Sequence, residues 1–343
     1  MELAELNADQ RRRLVDATQV FEAWREADRE FRHSYRGALR WKTINGTQYL
    51  YRTFGKIGNS LGPRSPELEK VKAEYTEQRT KLRRRVTGLE ARVKEMARLN
   101  RAFNLGRVPT IAARILRKLD QEGLLGKHLF VVGTNALYAY EAASGVLFET
   151  GLTATEDVDL LWDVRRHLSL ALVDTRKEGV LGLLRQVDRS FSTRANGYRA
   201  TNDEGYYVDL IRPLGKNELA KAPPKLGEAD DDLEAAAILG LEWLVHAPKF
   251  ERIAIGADGL PLWMSCIDPR AFALHKLWLS KRRDRDAVKR RRDLGQAKAV
   301  AHVARDYLDL KFSTKELSAL PLELVKEAGR WRRPDKDALR LRG

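Results

Sequence analysis

Apolar side chains return at intervals of three and four between residues 8 and 33, at Leu14, Ala17, Val20, Phe21 and Trp24, which predicts an amphipathic helix. The segment ALRWKTINGTQYLYRTF then switches to β-rich runs on either side of Asn45 and Gly46. That pair accepts the positive φ angles of a type I′ turn, so a β-hairpin is expected. GKIGNSLGPRSPELEK, with glycines at 55, 58 and 62, reads as a connector or a substrate-facing loop, with Arg64 as a candidate anion contact. It lacks the Gly-Lys-Ser/Thr of a Walker phosphate loop. Ser65 as N-cap and Pro66 at the first helical position start a helix that is expected to reach about Asn104. At 1.5 Å per residue it would be about 58 Å long. Its apolar stripe, Leu82, Val86, Leu89, Val93 and Met96, is narrow, as in a coiled-coil arm or brace, and would serve a homodimer. VPTIAARILRKLDQEGLLGKH adds a shorter helix that stops near Gly123.

The centre of the chain changes character. HLFVVG, DVDLLW and GYYVDLIRP read as strands, and NALYAYEAA and EGVLGLLRQVD as helices. Further on, AAAILGLEWLVHA reads as a helix, FERIAIGADGLPLWMSC as a hairpin, and DPRAFALHKLWLSK begins a run of helices. Three regions are expected: a helical N-terminal region with a hairpin over 1–105, an α/β core over 106–222, and a mainly helical region over 223–343.

The 63 lysines and arginines against 48 acidic residues give a formal charge of +15 on a chain of 343 residues that is 43% hydrophobic. That describes a basic, folded protein and favours a polyanionic partner such as RNA, DNA or a nucleotide. A single cysteine, Cys266, excludes an internal disulfide and a thiolate cluster, which suits the cytoplasm. No apolar run reaches the length of a membrane span, and the start of the chain has no apolar signal core. The histidines, at 33, 128, 167, 246, 275 and 302, have no zinc-ligand spacing.

Candidate chemistry centres on TATEDVDLLWD. Side chains alternate along a strand, so Asp157 and Asp159 share one face while Glu156, Val158 and Leu160 take the other. Two carboxylates so placed repel one another unless a cation such as Mg²⁺ joins them. On their own they read more readily as charges at a strand edge. Asp209, inside the apolar run YYVDLI, is a third strand-borne carboxylate that needs a cation or a donor. Upstream, VVGTNALYAYE takes a strand through Gly133, Thr134 and Asn135 into a helix whose first N–H groups can hold a phosphate.

Together these residues resemble the nucleotidyltransferase superfamily with the polymerase-beta-like fold: strand, Gly-Ser turn, helix, a strand with two carboxylates around one apolar residue, and a later strand with a third. The parts here are Gly133-Thr134, Asp157-Val158-Asp159 and Asp209. More narrowly, YLYR, SLGPRSPELE, GTNALYAYE, ATEDVDLLWD and DPRAFALHKLWLSKRRDRDAVKRRRD are similar to a bacterial family of this fold whose acceptors are unassigned. Thr134 stands where serine is usual, and the stretch from Thr134 to Asp157 exceeds the customary spacing; its extra residues, ASGVLFETGLTAT, have room for an added strand or a lid.

The resemblance implies an α+β fold: a nucleotidyltransferase core with a small mixed sheet, flanked by a helical N-terminal region with a hairpin and a mainly helical C-terminal region. It implies an NTP-dependent transferase in which Asp157, Asp159 and Asp209 are catalytic and hold two Mg²⁺ ions. Gly133, Thr134, Asn135, Lys276, Arg282 and Lys289 would contact the nucleotide. Residues 281–292 hold eight basic residues against two acidic ones, which suits triphosphate or RNA. Charge favours tRNA or another RNA as acceptor over a protein or a small molecule. A non-catalytic nucleic-acid-binding or toxin–antitoxin regulator on the same fold is the alternative.

Overall fold

Asn45 and Gly46 have φ angles of 48° and 81°, and this left-handed pair turns the strand Ala38–Ile44 back along Thr47–Phe54. The computed structural model in which this is seen describes residues 3–54, 57–165, 173–193, 197–215 and 225–331. Gly55, His167 and the expected boundary at 222/223 lie outside them. The chain divides into two compact units, one of residues 12–105 with 259–261, the other of 1–11, 106–258 and 262–343.

In the first unit the hairpin has a third strand. Ile57–Pro63 pairs antiparallel with Thr47–Phe54, which corrects the reading of this glycine-rich stretch as a connector. Pairing supplies the backbone hydrogen bonds that local propensity did not promise, and the irregularity is absorbed by a register shift beside Leu50 and by Gly62 at φ 135°. Leu50 is wholly buried. The long helix spans Pro66–Ala102, with Ser65 accepting from the Leu68 amide at 3.3 Å; of the expected stripe it buries Leu82 and Val93, and Ala97 is buried beside them.

The second unit is built on a mixed sheet. Its order is Lys249–Ile255, Pro261–Ile267, Leu129–Val132, Asp157–Trp162, Tyr207–Pro213, Arg199–Thr201 and Ser192–Thr193, with Ala236–Ile238 also paired to Tyr207–Pro213. Strands from both segments expected as separate regions thus enter one sheet. The Asp157 strand lies between an antiparallel neighbour, Leu129–Val132, and a parallel one, Tyr207–Pro213, and its apolar residues Val158, Leu160 and Leu161 are wholly buried.

The segment AAAILGLEWLVHA is not one helix. Ala236–Ile238 is a strand parallel to Tyr207–Pro213, and only Leu241–His246 is helical, starting after Gly240 at φ 88°. Pairing with the last residues of Tyr207–Pro213 overrides the helical preference of the alanines. The extra length before Asp157 holds a short strand, Val146–Leu147, paired antiparallel with Ala4–Glu5, and a one-turn helix, Thr150–Thr153. Helices Pro269–Lys281 and Ala287–Asp306 pack on each other, capped by Asp268 and Asp286. Among the described residues no helix is long and apolar enough to cross a membrane.

Candidate active site

Register brings the three aspartates together. In the parallel pair Asp209 lies opposite Asp159 and Tyr207 opposite Asp157, and neighbours in register point to the same side of a sheet. On the other flank Val132 lies opposite Asp159, and the next residue is Gly133. Gly133 has φ 65°, and a Cβ there would stand 2.1 Å from Asp159 Oδ2. Glycine is therefore required twice, for the left-handed turn and for the approach of the carboxylate to the backbone.

Crowding shows in the electrostatics. Burial first, and then the charges of Asp157 and Asp209, push the Asp159 carboxyl up to about 7, against the opposing pull of Lys276 and Arg199. Asp209 is gripped by Arg199, whose Nε donates to Oδ1 at 2.6 Å and Nη2 to Oδ2 at 2.5 Å. Arg199 sits opposite Asp209 on the antiparallel strand, with its guanidinium 4.9 Å from the centre of the Tyr207 ring. The pair raises the Arg199 pKa. Asp157 accepts from the Thr155 hydroxyl, and its own carbonyl accepts from Asn135 Nδ2 at 2.6 Å.

A cleft of about 570 Å³ opens over Asp159. Of the residues that the sequence nominated for nucleotide contact, Gly133, Lys276, Arg282 and Lys289 line it. Thr134 and Asn135 do not; both are buried and tie elements together. The Thr134 hydroxyl accepts from Arg292 Nη2 at 3.0 Å and Gln296 Nε2 at 3.2 Å, linking the glycine turn to helix Ala287–Asp306, while Asn135 anchors the Asp157 strand.

The far wall comes from helix Pro269–Lys281. Lys276, buried, donates to Asp293 Oδ1 at 2.8 Å, and Arg285 Nε donates to Asp293 Oδ2 at 2.7 Å. Burial lowers the Lys276 pKa, opposed by Asp293 and Asp159, and holds His275 down to about 3. Beyond them, Trp278 meets Trp243 edge-on at 5.0 Å, and Arg282 lies 4.7 Å over its ring. Arg282 also grips Asp284, at 2.9 and 2.5 Å. Lys276→Met is expected to lower unfolding free energy by about 3 kcal/mol in urea titrations, because Asp293 would stay buried with Arg285 alone; an unchanged midpoint would show that the Lys276 contact adds nothing.

Arg199, Arg285 and Asp293 were not singled out from sequence. Arg285 stood in the visible basic run, but Arg199 and Asp293 act through strand register and helix packing, for which no short motif exists. Among the described residues no group of three or more His, Cys, Asp and Glu side chains is arranged as a ready ligand cage. The bidentate grip of Arg199 on Asp209 is a physical reason, since it engages both oxygens of the third carboxylate.

Comparison with known proteins adds one finding. A family model described as a nucleotidyltransferase matches residues 110–321, a span that contains every side chain of the cleft named above. No curated protein and no solved structure matches the chain.

Proposed function

The chain belongs to the nucleotidyltransferase family, and from that premise we propose that it transfers a nucleoside monophosphate from an NTP to an acceptor hydroxyl, with Mg²⁺, in the cleft over Asp159. The observation that carries this reading is the convergence of Asp159, Gly133 and Lys276 on one cleft, with Asp209 in register beside Asp159 and Asp157 two residues before it on the same strand.

The donor set suits a hard divalent cation: Asp157 and Asp159 offer carboxylate oxygens from one strand face, and such an ion relieves the burial and the repulsion by Asp157 and Asp209 that together raise the Asp159 pKa. When bound, Mg²⁺ supplies charge neutralisation for the triphosphate and the departing pyrophosphate. Lys276, Arg282, Arg285 and Lys289 bind phosphate oxygens. Arg199 fixes the orientation of Asp209, which accepts the proton of the attacking hydroxyl. A bond forms between that oxygen and the α-phosphorus, the bond from the α-phosphorus to the bridging oxygen breaks, and pyrophosphate leaves. The net charge of +15 favours RNA as the acceptor.

The test is incubation of the protein with each α-labelled NTP, Mg²⁺ and total cell RNA. Label should enter RNA, and the rate should fall about tenfold per unit as pH drops below 7, because a proton on Asp159 competes with the cation. Salt-sensitive RNA binding with no transfer under any condition would instead support the non-catalytic regulator.

A further inference from the structure

Residues 36–64 carry six lysines and arginines, no aspartate or glutamate, and the aromatic residues Trp41, Tyr49, Tyr51 and Phe54. Cross-strand register sorts those on the first two strands onto two faces. Leu50, wholly buried, lies opposite Trp41, which lines a groove with the Pro66–Ala102 helix. On the opposite face Arg40 lies beside Tyr51 and Lys42 beside Tyr49. Arg40 and Lys42 are exposed and the two tyrosines half-buried, with Lys42 Nζ 5.5 Å from the centre of the Tyr51 ring. The tyrosines are about 7 Å apart along their strand, room for one base on each.

The basic character continues around the sheet edge. Trp41 is on the outermost strand, with Arg64 at 5.4 Å and Lys72 at 6.0 Å from its ring centre, and its groove is lined also by Lys81 and Arg84. Glu69 and Glu77 line the groove too, and Glu69 is already held by Arg64 at 2.6 Å.

We infer that this sheet face, with the Trp41 groove beside it, binds single-stranded RNA, bases stacking on Tyr49 and Tyr51 and phosphates meeting Arg40 and Lys42. Aromatic faces accept any unpaired base, and lysines and arginines neutralise the backbone without reading sequence. A duplex keeps its base faces covered and does not fit. The choice of RNA among polyanions rests on the acceptor reading above, whereas the platform uses none of the cleft aspartates.

The test is fluorescence anisotropy of the full chain with a labelled oligouridylate of about 20 nucleotides, from about 50 to 200 mM salt. Tyr49→Ala and Tyr51→Ala should each weaken binding about tenfold, and Tyr49→Phe and Tyr51→Phe should retain it. Arg40→Gln with Lys42→Gln, at exposed positions that leave the core untouched, should flatten the salt slope by about 1.4. Unchanged affinity in the folded Tyr49→Ala and Tyr51→Ala variants, an unchanged slope in the double glutamine variant, or tighter binding of duplex RNA or of a DNA strand would overturn the inference. Asp157→Asn with Asp159→Asn should bind RNA as tightly as the unaltered chain, so loss of transfer and loss of RNA binding are read separately.

Discussion

Asp159→Asn is expected to reduce label transfer by at least about 10³-fold and, at pH 8, to make the protein more stable. Activity falls, on the proposed reading, because the amide cannot replace the carboxylate that would hold the cation. Stability rises for a reason visible without any ligand. Burial, Asp157 and Asp209 push the Asp159 carboxyl up to about 7 in the folded protein, against about 3.9 when unfolded. Between those values the folded chain holds a proton that the unfolded chain has released, so stability declines as pH rises from about 4 to 7 and stays low above that. The neutral amide removes the effect. A gain on the order of 2 kcal/mol is expected at pH 8 and none at pH 4, measured as urea midpoints. An amide variant less stable than the parent at pH 8, or one that still transfers label, contradicts the crowding of the three carboxylates.

Gly133→Ala is expected to fail in the opposite way, losing activity and stability together. Its Cβ would lie 2.1 Å from Asp159 Oδ2 at a backbone φ of 65°, so the turn or the carboxylate must move. The left-handed conformation costs about 1 kcal/mol for alanine, and displacement of Asp159 from a site that tolerates little misplacement should cost about 10²-fold in rate. Gly145 provides the control. It has φ 67°, yet a Cβ there meets nothing nearer than 3.7 Å. Gly145→Ala should therefore show the backbone cost alone, with transfer rates unchanged. Equal rates for the two alanine variants would mean that Gly133 serves only the turn.

The fold was legible where local signals and tertiary structure agree. The turn at Asn45 and Gly46, the Ser65 cap and the placement of the aspartates on strands all follow from short-range chemistry. It was not legible where pairing overrides propensity: Ile57–Pro63 is a strand despite its glycines, and Ala236–Ile238 a strand despite its alanines, because each pairs with a neighbouring strand. The site divides in the same way. Period-two spacing placed Asp157 and Asp159 on one face, but the partner of Asp209 depends on which residue of another strand stands opposite it, and Arg199 is invisible until that register is known. Thr134 illustrates the converse. Its hydroxyl stands at the expected turn, yet Arg292 and Gln296 occupy it from a helix some 160 residues away in sequence, so it braces the turn from behind while Gly133 faces the cleft.

The most direct test of the nucleotidyl transfer proposed for this cleft follows two labels through one reaction, comparing α-labelled and γ-labelled NTP with RNA and Mg²⁺. The α-phosphate label should become covalently attached to the acceptor while the γ-label leaves quantitatively as pyrophosphate, and both processes should stop together in the Asp157→Asn, Asp159→Asn double variant. Transfer of the γ-label to the acceptor, or α-label transfer that survives the loss of both aspartates, would contradict it.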